Sequence, residues 1–117
     1  MLRRAYGELS EVSQGQVITF GEIILDLEQL RVTRSGQTVY LTPTEFRLLR
    51  FLVTHPDKPI HRETLIEAVW GYDSDSSSDR MVDVHIRHLR QKLETNPSDP
   101  QWLLTVRGIG YKFQSPR

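Results

Sequence analysis

The stretch Asp79-Arg80-Met81-Val82-Asp83-Val84-His85-Ile86-Arg87-His88-Leu89-Arg90-Gln91-Lys92-Leu93 carries two patterns at once. At about 100° per residue, Val82, Ile86, Leu89 and Leu93 fall on one narrow apolar stripe, as in a helix with one face in a core. Asp79 is suited to cap it, so a helix is predicted over about Arg80–Leu93. The opposite side gathers Arg80, Val84, Arg87, His88 and Gln91, with His85 and Arg90 on the flanks. An arginine can grip a guanine edge through two donors, glutamine and histidine can hydrogen-bond base edges, and an isolated valine can meet a thymine methyl. Flanking arginines can hold phosphates, and the helix N-terminus adds N–H groups and partial positive charge. The plain alternative is a solvated polar face. Val84 and the near absence of acids on the outer side favour a groove-reading surface, with Asp83 to one side where it could orient an arginine.

Downstream, Asn96-Pro97-Ser98-Asp99-Pro100 reads as a loop. Trp102–Arg107 and Tyr111–Gln114 read as strands joined by Gly108-Ile109-Gly110. This hairpin is a second basic element, with Thr105, Arg107, Tyr111 and Lys112 and no acid beyond Asp99. Its glycines permit a tight turn that a phosphate backbone can approach, and an arginine near the tip suits a narrow minor groove. An ordinary surface hairpin is the alternative.

Upstream, Arg62–Trp70 is predicted as a helix burying Leu65, Ile66 and Val69 and stopped by Gly71. The polar segment Tyr72–Ser78 then separates it from the third helix. Thr42-Pro43-Thr44-Glu45 opens the first: Thr42 caps, Pro43 has the φ of a first turn, and Glu45 can close a capping box. Phe46, Leu48, Leu49, Phe51, Leu52 and Val53 make it apolar nearly all round, and Pro56 ends it. Before it lie four β-rich runs, Val17–Phe20, Ile23–Leu27, Leu30–Arg34 and Gln37–Leu41. Their tight connections predict an antiparallel sheet, with Leu30 and Val32 on one face and Arg31 and Thr33 on the other. Residues 1–16 read as a tail or interdomain linker, and residues 17–115 as one folded domain.

The chain has 117 residues, 38% hydrophobic and 26% charged, which fits a single globular domain. No apolar run approaches the roughly 18 residues of a membrane span, and Met1–Ser10 lacks the apolar core of a signal peptide. The absence of cysteine excludes disulfides and thiolate metal sites and fits the cytoplasm. Net charge is zero, but residues 1–79 hold 8 Lys/Arg against 12 Asp/Glu, whereas residues 80–117 hold 7 against 3. A basic patch can bind a polyanion even on a neutral chain.

Three segments together resemble the C-terminal effector domain of OmpR/PhoB-type response regulators. They are Leu41-Thr42-Pro43-Thr44-Glu45-Phe46-Arg47-Leu48-Leu49, Val82 through Leu93, and Thr105-Val106-Arg107-Gly108-Ile109-Gly110-Tyr111. Order and spacing agree from about Val17 to Phe113, and Leu2-Arg3-Arg4-Ala5 resembles the end of a receiver domain's last helix. The resemblance implies an α+β winged helix-turn-helix: an N-terminal four-stranded antiparallel sheet, three helices and a C-terminal β-hairpin wing. It implies double-stranded DNA binding for transcription regulation, as the output domain of a two-component phosphorelay. The third helix (about 80–93) would enter the major groove and the wing (about 105–112) the minor groove. Head-to-tail dimers would bind direct repeats after phosphorylation of a receiver aspartate outside this chain.

Carried over by motif, the base-reading candidates are Val84, His85, His88, Thr105 and Arg107. The phosphate-contact candidates are Trp70, Arg80, Arg87, Arg90, Tyr111 and Lys112. Tyr72, Asp73 and Asp75 lie where such proteins can touch RNA polymerase. Met81 departs from the family's usual Thr, His88 from a second Arg, and His61 from the Ser that commonly caps the second helix. Losing that cap costs about 1 kcal/mol.

Other chemistries fit less well. Asp73, Asp75, Ser77 and Asp79 alternate like an EF-hand, but Ser78 replaces the required glycine and Val84 the terminal glutamate. His85 and His88 share a face without a third metal ligand. No nucleophile–base pair has a recognisable context, and Gly108-Ile109-Gly110 lacks the rest of a dinucleotide fingerprint. No catalysis, metal or cofactor is therefore expected. The remaining alternative is a winged helix used mainly for protein–protein contacts, because fold alone does not decide function.

Overall fold

A computed structural model describes residues 16–71 and 79–116. The chain divides between Tyr40 and Leu41 into two compact units. In the first, β1 (Val17–Phe20), β2 (Ile23–Asp26), β3 (Arg31–Arg34) and β4 (Gln37–Val39) form an antiparallel sheet in sequence order. Pairing of Phe20 with Ile23 and of Leu25 with Val32 puts these four on one face, where all are buried. Thr19, Ile24, Thr33 and Thr38 form a cross-strand row on the other.

The β2–β3 connection differs from the expectation. Asp26 accepts the N–H groups of Glu28 (3.0 Å) and Gln29 (2.9 Å), making a side-chain-closed turn. The turn extends through Leu30, which has φ 55° and is exposed rather than sharing the buried face of Val32. Alternation along a strand says nothing about a residue still inside the preceding turn. At the β3–β4 connection, Ser35 and Gly36 have φ of 51° and 83°, the double positive φ that suits the twist of a two-residue hairpin.

The second unit contains α1 (Pro43–Val53), α2 (Arg62–Val69) and α3 (Asp79–Leu93). It also holds a three-stranded sheet made of β5 (Ile60–His61), β6 (Leu103–Val106) and β7 (Gly110–Phe113) in the order β5-β7-β6. The predicted capping box is present: Glu45 N–H donates to Thr42 Oγ1 (3.1 Å) and Thr42 N–H to Glu45 Oε1 (3.0 Å). α1 stops at Val53 with Thr54 as its cap, before Pro56. Its apolar surface is less uniform than predicted: Leu48, Leu49, Leu52 and Val53 are buried, while Phe46 and Phe51 are half-buried. At α2, His61 makes no side-chain capping bond, as expected, and Gly71 (φ 88°) ends the helix by donating to Ile66 and Glu67 carbonyls. α3 begins at Asp79 itself rather than after it. No helix among the described residues is long and apolar enough to cross a membrane.

Two features of this unit escape the sequence reading. β5 is only two residues long and pairs Ile60 with Tyr111 and His61 with Gly110. A Cβ on Gly110 would lie 2.1 Å from the Ile60 carbonyl oxygen, so this close pairing requires glycine. Glu94 is 2% exposed, and its carboxylate accepts the N–H groups of Gln101 (2.7 Å), Trp102 (2.9 Å) and Leu103 (2.8 Å). One acidic side chain thus fixes the chain's path from α3 into β6. Replacing Glu94 with Ala leaves those donors without their acceptor and is expected to cost roughly 2–4 kcal/mol in stability. Urea unfolding checks this; an unchanged midpoint would mean that water replaces the carboxylate.

Candidate nucleic-acid interface

Burial sets the rotation of α3. Val82, Ile86 and Leu89 are 0% exposed and Leu93 is 2% exposed. Arg80, Val84, Arg87, His88 and Gln91 are exposed on the other side, and His85 and Arg90 are half-buried between, as the helical spacing requires. His85 Nδ1 lies 2.8 Å from the Met81 carbonyl oxygen. A carbonyl only accepts, so Nδ1 carries the proton and Nε2 of the neutral ring is left as an acceptor. Trp70, at the C-terminal end of α2, meets the His85 ring edge-on with centroids 5.2 Å apart.

His88 lies beside a buried acid. Its Nδ1 is 3.6 Å from Glu45 Oε2, while Lys92 Nζ donates to Glu45 Oε1 at 2.7 Å. Burial alone would raise the Glu45 pKa; the Lys92 ammonium, the Thr42 N–H and the charge of His88 outweigh it and hold the carboxyl below its ordinary value. Glu45 therefore serves both as the capping-box acid of α1 and as the anion beneath one end of α3.

A second cluster joins α2, α3 and the hairpin. Asp83 Oδ1 accepts from Arg62 Nε (3.0 Å) and from the Tyr111 hydroxyl (2.5 Å). The arginine that Asp83 orients is thus Arg62 of α2, not one from the outer face of α3. Burial works against the Asp83 charge, but the Tyr111 hydroxyl and Arg62 guanidinium lower its pKa. Burial, and then Asp83, raise that of Tyr111, and the Asp83 hydrogen bond raises that of Arg62. The Arg62 and Arg90 guanidinium carbons lie 5.1 and 5.6 Å from the Tyr111 ring centroid. Arg90 also donates from Nε to the Leu103 carbonyl (2.9 Å) and from Nη2 to Thr105 Oγ1 (2.8 Å).

The hairpin turns through Arg107, Gly108 (φ 80°) and Ile109, whose N–H donates to the Val106 carbonyl (2.9 Å). Arg107 and Thr105 are exposed and Lys112 is half-buried. Tyr111 is 5% exposed with its hydroxyl committed to Asp83, so it stands inside the protein rather than on the surface. An open basin separates Arg87 and Gln91 of α3 from Pro97, Ser98 and Tyr111. Of the residues singled out by sequence, Trp70, His85 and His88 lie together, Val84 is exposed on the outer face of α3, and Arg90, Thr105 and Tyr111 form one network. Tyr72, Asp73 and Asp75 lie outside the described residues. Arg62, Glu45 and Lys92 were not among the site candidates. Arg62-Glu63 fitted the family resemblance but carried no role beyond a helix start, and Glu45 was legible only as a cap.

Residues 36–113 match the family described as "Transcriptional regulatory protein, C terminal". The chain belongs to this family. DNA-binding response regulator MtrA of Mycolicibacterium smegmatis is 40% identical over 113 residues, covering 97% of the chain and 49% of MtrA. The alkaline phosphatase synthesis transcriptional regulatory protein SphR of Synechococcus elongatus is 41% identical over 113 residues, covering 97% of the chain and 43% of SphR. The chain thus spans about half the length, or less, of these relatives. Among solved structures, the DNA-binding domain of Klebsiella pneumoniae RstA in complex with the RstA box superposes with a TM-score of 0.74. It is 34% identical and covers 85% of the chain and 97% of that structure. The DNA-binding domain of Escherichia coli CpxR gives 0.71 at 32% identity, covering 86% and 97%. The chain carries a winged helix-turn-helix of the OmpR/PhoB type, and its wing is the β6–β7 hairpin.

The two carboxylates give this OmpR/PhoB-type domain a defined acid response. Folded-state values below the ordinary 3.8 of Asp83 and 4.5 of Glu45 mean that their stabilisation is present above those values. It is lost as pH falls through the lowered folded values. Stability is therefore expected to decline below about pH 4, and Asp83→Asn should reduce the steepness of that decline. Urea midpoints measured across pH check this; an unaltered acid slope in Asp83→Asn would remove Asp83 from the acid response.

Proposed function

We propose that this domain is the output half of a two-component response regulator acting in the cytoplasm on double-stranded DNA. It comprises residues 17–115, with residues 1–16 as the linker to a receiver domain of the same protein. α3 enters the major groove and the wing the adjacent minor groove. Val84, His85, His88, Thr105 and Arg107 read bases, and Trp70, Arg80, Arg87 and Lys112 contact phosphates. Arg90 and Tyr111, whose polar groups are engaged within the protein, take a supporting place. Tandem head-to-tail binding to direct repeats, and contact with RNA polymerase through Tyr72, Asp73 and Asp75, complete the proposal.

The carrying observation is the face of α3. Arg80, Val84, Arg87, His88 and Gln91 are all exposed on one side, with Asp83 at its flank bound to Arg62 and Tyr111, while the opposite stripe is sealed in the core. Arginine forks, a histidine and an apolar methyl-binding spot suit the varied donors, acceptors and methyls of a major groove. The RstA domain bound to the RstA box supports the same reading.

Selection of sites from random duplex DNA at physiological salt tests it. Enrichment of a short direct repeat, spaced by about one helical turn, is the expected result. Binding without enrichment would favour a winged helix that serves a protein partner. On the selected duplex, Arg107→Ala should weaken binding by roughly 1–3 kcal/mol if the side chain reads a base; unchanged affinity would remove the wing tip from the mechanism. Val84→Ala should lower affinity for a thymine-containing site more than for nonspecific DNA, and equal losses on both would sink the methyl contact.

A further inference from the structure

We infer that Arg90 is a positioning residue, which turns the Thr105 hydroxyl into a hydrogen-bond donor for a minor-groove acceptor of an A·T pair. This rests on the DNA-binding reading above. Arg90 is half-buried and is held from three directions inside the protein. Its Nε donates to the carbonyl of Leu103, a residue with no exposure at the start of β6. Its Nη2 donates to Thr105 Oγ1, and its guanidinium carbon lies 5.6 Å from the centre of the Tyr111 ring. That ring is fixed in turn by its hydroxyl bond to Asp83. The arginine thus couples α3 to the wing.

The consequence for Thr105 follows from donor–acceptor chemistry. A guanidinium has no acceptor, so Thr105 Oγ1 must accept from Arg90. The positive partner at 2.8 Å fills one of the two lone-pair directions, and its charge disfavours a second donor at the same oxygen, so the hydroxyl hydrogen is what the group offers elsewhere. Thr105 is exposed, so that hydrogen is open to a ligand. In the minor groove, A·T and T·A pairs present only the acceptors adenine N3 and thymine O2, whereas a G·C pair adds the guanine amino donor. A hydroxyl held as donor therefore favours A·T under the wing. Phosphate oxygen is the other source of an acceptor, and the experiment separates the two.

The test uses the duplex recovered by site selection, with 3-deazaadenine, which lacks the N3 acceptor, replacing each adenine under the wing in turn. A thymine analogue lacking the O2 acceptor likewise replaces each thymine. Kd is measured over a range of salt for the wild type, Arg90→Gln, Thr105→Val, Thr105→Ser and Arg87→Gln. At one position, one of these replacements should weaken the wild type and Thr105→Ser roughly two- to tenfold, the range for one net hydrogen bond. It should leave Thr105→Val and Arg90→Gln unaffected. The slope of log K against log salt should be unchanged in Arg90→Gln and reduced by about 0.9 in Arg87→Gln, which contacts a phosphate. A slope reduced by about 0.9 in Arg90→Gln would make Arg90 a phosphate ligand and overturn the inference. So would a wild type indifferent at every position both to 3-deazaadenine and to a thymine analogue lacking the O2 acceptor, or a Thr105→Val protein still sensitive to the replacement that weakens the wild type. Should Arg90→Gln fail to fold, the two Thr105 variants decide. Failure of the wild type to prefer any duplex would instead remove the DNA-reading role itself.

Discussion

Val82, Ile86, Leu89 and Leu93 leave α3 one rotational setting. Each buried side chain of this size contributes roughly 1.5–3 kcal/mol, and all four are sealed from solvent. Turning the helix by one residue would bring Asp83 and Arg87 inward, exchanging apolar burial for stranded charge. The outward display of Arg80, Val84, Arg87, His88 and Gln91 is therefore a consequence of core packing. The same burial that stabilises the domain aims its chemistry.

Rotation alone does not fix what each polar group offers. That is done by contacts behind the surface: the Met81 carbonyl sets the His85 tautomer, Glu45 lies beneath His88, and Arg90 occupies the Thr105 oxygen. Each supporting partner comes from the backbone, from another element or from the flank of α3. Side chains held this way have less freedom to lose when they meet a ligand. Asp83 extends the principle by tying α2, α3 and the wing through two hydrogen bonds to one oxygen.

What the sequence disclosed divides along the range of the interaction. The α1 capping box, the tight connections after β1 and β3, and the stripe of α3 are local patterns, and each sits close to where it was expected. β5 was invisible because two residues make no period; it exists through pairing with Tyr111 and Gly110, some fifty positions away. Leu30 misled because alternation was read across the end of a turn. Glu94 resembles an ordinary acid at an unfavourable helix end until the N–H groups of 101–103 are folded onto it. Of the interface, the outward side chains were legible. Arg62, Glu45 and Lys92, which position other groups, were not, because nothing local distinguishes a positioning arginine or lysine from a solvated one.

Gly110 has no room for a side chain. Its α-carbon approaches the Ile60 carbonyl so closely that only hydrogen fits between them. A methyl there would act as a wedge, prising the hairpin from its two-residue anchor and withdrawing Tyr111 from Asp83. The arm beyond it would keep its full complement of basic side chains yet swing on a loosened pivot. The orientation of the wing thus hangs on one missing carbon, at the strand position paired with Val106.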